Sequence, residues 1–280
     1  MNARFLFNRS THQPRWEHGV KTVAIKLRYA GSTHVGRKRG HNEDNLCLVP
    51  EHNLYLVADG MGGHASGEVA SQLAVDTVAE FFKETSSDED MTWPYKMEKG
   101  LSYEENRLAA AVKLANLRIF EKAKGDPSSH HGMGTTIVCT FISEGLIYFA
   151  HVGDSRIYRL RGDHLSLVTE DHSLLNDYIK MKDLTEEEIE NFPHKNVIVR
   201  ALGMKETVQV DVDHEEPEDG DLYMLCSDGL NGMIKDELIH EIMMKHRTDL
   251  EACVEGLIDA ANEGGGKDNT TVVVVEITKE

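Results

Sequence analysis

Five segments of this 280-residue sequence share one pattern: an acidic residue ends an apolar run beside a glycine or tight turn. They are Asn42-Glu43-Asp44, Asp59-Gly60, Gly153-Asp154, Asp228-Gly229 and Gly266-Lys267-Asp268-Asn269. Strand ends are where a rigid sheet aims side chains into a shared cleft, and a neighbouring glycine lets backbone approach a ligand or offer its carbonyl. A lone Asp-Gly after a strand reads first as a hairpin turn. Here Asp59-Gly60 leads through Met61-Gly62-Gly63-His64 into a helical pattern, and Asp228-Gly229 leads through Leu230-Asn231-Gly232 into another. Neither has a pairing strand after it. Carboxylates gathered in one cleft repel and raise each other's pKa unless cations neutralise them. An all-oxygen donor set suits hard ions such as Mg²⁺ or Mn²⁺ rather than zinc, which prefers His and Cys. Arg39, close before Asn42, adds a planar fork that binds phosphate through two parallel hydrogen bonds. Together these residues predict a phosphate held between metal ions and Arg39.

The elements that must position them are legible from periodicity. Strict alternation of Val23, Ile25, Leu27 and Tyr29 with Ala24, Lys26 and Arg28 predicts a half-buried strand. Further strands are predicted over 45–49, 54–58, 136–141, 146–152, 157–160, 165–168, 207–212, 222–226 and 270–277. Short turns such as Ser143-Glu144-Gly145 and Arg161-Gly162-Asp163 favour antiparallel meanders. Val69, Leu73, Val78 and Phe81 mark one helix begun near Ser66. Capping boxes at Ser102/Glu105, Thr185/Glu188 and Thr248/Glu251 start three more. The polar stretch 84–100 reads as a mobile surface loop. Two long helices between early and late strand groups predict an α+β sandwich of sheets covered by helices.

Charge and composition narrow the class. The 30 basic and 48 acidic residues give a net charge of −18, a field that repels phosphate backbones and disfavours nucleic acid. Cys47, Cys139, Cys226 and Cys253 are far apart and form no Cys-x-x-Cys pair, so buried free thiols are expected. No run approaches a membrane span, and residues 1–18 lack the apolar segment of a secretory signal. A soluble cytoplasmic protein is expected. No Pro/Ser-rich linker divides the chain. Residues 1–20 are expected to form a poorly ordered extension, and 21–280 a single catalytic domain.

From about Val23 to Ile277 the sequence resembles the metal-dependent Ser/Thr protein phosphatases of type 2C, the PPM family. The resemblance rests on Arg39-Gly40-His41-Asn42-Glu43-Asp44, Val57-Ala58-Asp59-Gly60-Met61-Gly62-Gly63-His64 and Gly134-Thr135-Thr136, in that order. It continues through His151-Val152-Gly153-Asp154-Ser155-Arg156, Cys226-Ser227-Asp228-Gly229 and Lys267-Asp268-Asn269-Thr270. Each motif is modest alone; six in order are specific. Met-Gly-Gly-His after Asp59-Gly60 looks like the prokaryotic branch.

The resemblance implies two antiparallel sheets packed as a sandwich with helices on both sides, a four-layer α-β-β-α fold. It implies hydrolysis of phosphoserine and phosphothreonine in proteins by a metal-activated water, without a covalent phosphoenzyme, opposing a cognate Ser/Thr kinase. By position, Asp59 would bridge two Mn²⁺ or Mg²⁺ ions and Gly60 would lend its carbonyl to one. Asp228 and Asp268 would hold the first ion, and Asp44, with Glu43 beside it, would serve the second. Asp154 with Asp228 matches the pair holding a weaker third ion, and Arg39 matches the phosphate-binding arginine. The implied partners are phosphoprotein substrates, with no nucleic acid and no membrane, and the protein is expected to be a monomer.

One departure bears on the leaving group. Eukaryotic members carry a His directly after Asp-Gly as proposed general acid, where this chain has Met61. His64 and His41 are candidate substitutes, and a metal-bound water could do the same work. Asp171-His172-Ser173 through Gly203 corresponds to the variable flap beside the active site, where 186–188, Lys180, Lys182 and Lys195 could tune substrate choice. A non-catalytic phosphoprotein-binding module would have lost a metal ligand, and none is missing. A two-metal nuclease is disfavoured by the acidic charge and the lack of a basic track.

Overall fold

The computed structural model describes residues 25–62, 66–87, 93–125, 132–182, 184–185, 188–189, 192 and 197–280. The predicted extension over 1–20, His64, Lys195 and 186–187 lie outside the described residues.

Eleven strands form two antiparallel sheets among these residues. In one sheet, β1 (Ile25–His34), β11 (Thr270–Lys279), β10 (Asp221–Cys226), β7 (Arg156–Arg161) and β8 (His164–Leu167) lie side by side in that order. The other runs β2 (Asp44–Val49), β3 (Leu54–Met61), β5 (Ile137–Ser143), β6 (Leu146–Val152) and β9 (Asp211–Glu215). The two-residue β4 (Gly134–Thr135) pairs with the end of β3.

Alternating residues of each strand separate three apolar layers. Tyr55, Val57, Val138, Phe149, Tyr223, Leu225, Val273 and Val275 fill the space between the sheets. On one outer face Leu56, Ala58, Cys139 and Ala150 meet α1 (Ser66–Ser87) and α2 (Tyr103–Gly125). On the other, Leu222, Met224, Val272 and Val274 meet α5 (Asp236–Lys245) and α6 (Leu250–Glu263). The four layers are therefore helix, sheet, sheet, helix, as expected from the sequence. The remaining helices are α3 (Leu174–Met181) and the one-turn α4 (Asp228–Asn231).

Local signals held where side-chain hydrogen bonds enforce them. At Ser102 the amide donates to Glu105 Oε2 (2.7 Å) and the Glu105 amide donates back to Ser102 Oγ (3.2 Å). Thr185 and Glu188 make the same reciprocal pair. The predicted cap at Thr248 is displaced by one residue: Asp249 is the N-cap of α6 and accepts from the Ala252 amide at 3.1 Å. The strand predicted over 207–212 starts at Asp211, because Asp211 to Glu215 pair with His151 to Ile147 of β6. The stretch 84–100 is not one surface loop. Residues 84–87 finish α1, and Trp93 packs its ring 6.0 Å from Phe81 and 5.0 Å from Tyr103. All four cysteines are free, and three of them are buried.

Strand registers decide which ends meet. Cys226 lies opposite both Arg156 and Val272, and His34 lies opposite Thr270. In the second sheet Asp44 lies opposite Asp59, and Ile137 opposite Val152. Every glycine-flanked acid thus falls at the same end of the sandwich. Gly153 shows how tight that end is. Its φ is +113°, and a Cβ there would sit 2.6 Å from Thr136 Cβ and Cγ2. Gly153→Ala is expected to lower unfolding free energy by about 3 kcal/mol in urea titration. Gly162→Ala, at φ +61° in open space, should lose only about 1 kcal/mol.

Candidate active site

Each acidic residue is held by backbone geometry specific to its strand end. Asp59 is clamped by a threonine pair: its amide donates to Thr136 Oγ1 (3.1 Å), and its carbonyl accepts from the Thr136 amide (2.8 Å) and Thr135 Oγ1 (2.9 Å). At Gly60 the chain runs between Glu43 and Gly67 so closely that a Cβ would lie 2.2 Å from Gly67 O and 2.5 Å from Glu43 O. Any side chain there would push β3 away from α1.

Asp154 sits between three anchored neighbours. The Gly153 amide donates to His172 Nδ1 (3.0 Å), and the His172 amide donates to Gly153 O (2.9 Å). Ser155 Oγ meets Thr136 Oγ1 at 2.7 Å. Arg156 then grips both oxygens of Asp171, at 2.9 and 2.7 Å.

Asp228 opens α4, where Gly229 lies under the Asn269 carbonyl; a Cβ would be 1.8 Å from that oxygen. Asn269 stitches the adjoining loops together. Its amide nitrogen donates to Val35 O (2.9 Å) and His41 O (3.1 Å), while its Oδ1 accepts from the Glu43 amide (2.8 Å). Asp268 accepts from Arg39 Nη2 at 2.6 Å.

The electrostatics follow from this convergence. Burial raises the Asp59 carboxyl well above its ordinary range, and the charges of Asp44, Asp228, Asp154 and Asp268 raise it further. Burial pushes Asp44 up to about 7 despite hydrogen bonds from Thr271 and Ser227, with Asp228 and Asp268 adding repulsion. Asp154 also rises to about 7, through burial and then Asp228 and Asp171. Asp228 is raised by burial and by Asp268. Against this, Arg39 brings a single positive charge. Asp44 Oδ1 and Asp154 Oδ1 are buried and have no hydrogen-bond partner. Clustered carboxylates with orphaned, inward oxygens fit hard divalent cations.

Two predicted site residues lie at the rim. Glu43 is buried, with its carboxylate against Gly67 and its Oε1 3.1 Å from Nε2 of the exposed His41. Arg39 is half-exposed, its guanidinium on Asp268. His64 lies outside the described residues. Hydroxyls that support the acids, Thr136, Ser155, Ser227 and Thr271, are buried; the first three lie in the motifs above but were given no task of their own. Their signal was adjacency, since Ser155 and Ser227 each flank an aspartate of the pattern.

A second cluster, His151, His172 and Asp211, brings potential ligand atoms within 4.8 Å of one another. Its hydrogen bonds argue against a cation. His172 Nδ1 accepts from Gly153, so the neutral ring carries its proton on Nε2, which faces Asp211 Oδ2 at 3.2 Å. Arg200 already donates to Asp211 Oδ1. The cluster ties β6, β9 and the Asp171-His172-Ser173 segment together.

The architecture is an α-β-β-α sandwich whose carboxylate cluster has a donor set suited to divalent cations. The profile of protein phosphatase 2C matches residues 30–265, and the chain belongs to that family. It is 36% identical over 251 residues to the serine/threonine phosphatase stp of Listeria innocua, covering 87% of this chain and 93% of that one. It is 34% identical to protein phosphatase PhpP of Streptococcus pneumoniae, over 89% of this chain and 96% of that one. Among solved structures, the Mycobacterium tuberculosis serine/threonine phosphatase PstP/Ppp superposes with a TM-score of 0.77 at 35% identity, covering 90% of this chain and 99% of that one. A PstP catalytic domain in complex with two manganese ions gives a TM-score of 0.75 at 34% identity, over 91% of this chain and all of that one.

The raised carboxyls set the pH response of the metal-free protein. A folded-state pKa above the unfolded value stabilises at low pH, and that stability is lost as pH rises through the folded value. For Asp154 the window runs from about 4 in the unfolded chain to about 7 in the fold. In chelator, Asp154→Asn should therefore gain melting temperature relative to wild type as pH passes from 5 to 8. A gap that stays constant or shrinks would contradict the assigned repulsion.

Proposed function

We propose that the protein hydrolyses phosphoserine and phosphothreonine in protein substrates, using divalent cations held by the carboxylates at the sandwich end. The observation that carries this reading is Asp59 buried among four other aspartates, two of which carry orphaned oxygens. Asp59, Asp228 and Asp268 would hold one ion, and Asp59, the Gly60 carbonyl and Asp44, with Glu43 behind it, a second. Asp154 with Asp228 would hold a weaker third. Mn²⁺ and Mg²⁺ both suit this donor set. Such ions lower the pKa of water toward neutrality and screen charge on a transferring phosphoryl group.

The chain's own groups supply the rest. Arg39 reaches the rim on a half-exposed side chain, where it can exchange Asp268 for a phosphate oxygen and stabilise charge on the transferring group. A cysteinyl phosphoenzyme finds no support: burial pushes Cys139, Cys226 and Cys253 up to about 12 and Cys47 to about 11, leaving protonated, poorly nucleophilic thiols. The departing alkoxide needs a proton. His64 is the proposed donor, with His41 the alternative, its ring oriented by Glu43.

The same reading makes residues 21–280 a single catalytic domain preceded by an extension over 1–20, acting as a monomer against a cognate Ser/Thr kinase. Among the described residues no helix is long and apolar enough to cross a membrane. The net charge of −18 supports a protein rather than a nucleic-acid substrate.

Turnover of a phosphothreonine peptide with Mn²⁺ tests the proposal. Asp59→Ala should lose activity by on the order of 10³-fold or more with its circular dichroism unchanged, and chelator should abolish wild-type turnover. Arg39→Ala should raise KM more than it lowers kcat if its main role is phosphate binding. Mn²⁺-stimulated activity surviving in Asp59→Ala, or preference for a DNA substrate over the phosphopeptide, would overturn the assignment.

A further inference from the structure

Asp44 is held by a closed ring of hydrogen bonds. Its Oδ2 accepts from Ser227 Oγ and from Thr271 Oγ1, each at 2.7 Å. A hydroxyl has one proton to give. Ser227 has spent its proton on Asp44, and its lone pair accepts the Thr271 amide at 2.9 Å. Thr271 has also spent its proton, so in the 2.7 Å contact between Thr33 Oγ1 and Thr271 Oγ1 the donor must be Thr33. Thr33 Oγ1 in turn accepts from Asn42 Nδ2 at 2.8 Å. Asn42 Oδ1 accepts from the Asp44 amide at 3.2 Å, and the circuit returns to its start.

The ring spans both sheets. Thr33 and Thr271 are cross-strand partners on β1 and β11, Ser227 follows β10, and Asp44 opens β2 in the opposite sheet. Ser227 and Thr271 are fully buried. Both hydroxyls that reach the carboxylate donate to Oδ2, and Oδ1 remains buried without a partner.

We propose that Ser227, Thr271, Thr33 and Asn42 are positioning residues that lock the Asp44 carboxylate, so that Oδ1 alone is presented to a divalent cation, directly or through water. This rests on the cation reading above. The ring fixes the carboxylate plane before any ion arrives, which removes the rotational freedom an ion would otherwise have to quench.

The test is calorimetric titration of Mn²⁺ into metal-stripped wild type, Thr271→Val, Thr271→Ser and Ser227→Ala, with melting temperatures in chelator and in Mn²⁺. Thr271→Val keeps the shape and removes the donor. It should weaken Mn²⁺ binding by about tenfold or more and shrink the Mn²⁺-dependent rise in melting temperature. Thr271→Ser, which retains the hydroxyl, should restore both. If Thr271→Val fails to fold, Ser227→Ala makes the same test through the other donor. Wild-type Mn²⁺ affinity in the Val and Ala variants would overturn the positioning role, as would a Ser variant that falls as far as Val. If wild type itself binds no Mn²⁺, the cation reading fails, and this inference with it.

Discussion

The structure depends on one electrostatic constraint: carboxylates from distant parts of the chain are driven into a single poorly solvated end of a β-sandwich. Apolar packing between the sheets brings Asp44 and Asp59 of one sheet against the loops carrying Asp228 and Asp268 of the other. Burial raises Asp59, Asp44, Asp154 and Asp228, and repulsion from neighbouring carboxylates raises them again, so the fold alone disfavours the ionised form of these four. A site that penalises its own charge in the absence of cations gains correspondingly when cations arrive. The tension is tolerated because the strands on which it sits are continuous apolar runs, Leu54 to Ala58 and Val272 to Val275, buried on both faces.

Rigidity at that end comes from close backbone approach and hydroxyl pairs, with the largely buried Arg156–Asp171 bridge beside them. Gly60 and Gly229 admit carbonyls where a methyl group could not fit, and Gly153 turns through a left-handed conformation against Thr136. Buried hydroxyls then satisfy what the backbone leaves over. Such contacts have little freedom to relax, which suits carboxylates whose separation sets the charge density a cation meets.

Much of this was legible because it is local. Period-two alternation located most strands, capping boxes located Ser102 and Thr185, and acid-glycine pairs with the Asn42-Glu43-Asp44 turn located the aspartates gathered around Asp59. What stayed hidden is set by pairing across the chain. The strand at 211–215 is decided by its register with β6 rather than by its own apolar residues, and Trp93 joins the core because Phe81 and Tyr103 present rings to it. The supporting role of Thr271 and Ser227 was hidden for the same reason: a threonine in a strand and a serine at a strand end are unremarkable until a carboxylate 183 or more residues away is seen against them.

Two arginine–aspartate pairs at the site show how the same chemistry serves opposite ends. Arg156 is largely buried and gives Asp171 two parallel hydrogen bonds and Tyr158 a third. Breaking it would strand a buried charge, so it is structural and keeps its pKa raised through those partners after overcoming burial. Arg39 gives Asp268 one hydrogen bond from a side chain that is 50% exposed. Solvent and mobility make that contact weak and exchangeable. A guanidinium held as Arg156 is could not turn toward a phosphate, whereas one bonded as Arg39 is has the freedom that the phosphate-binding role proposed above requires.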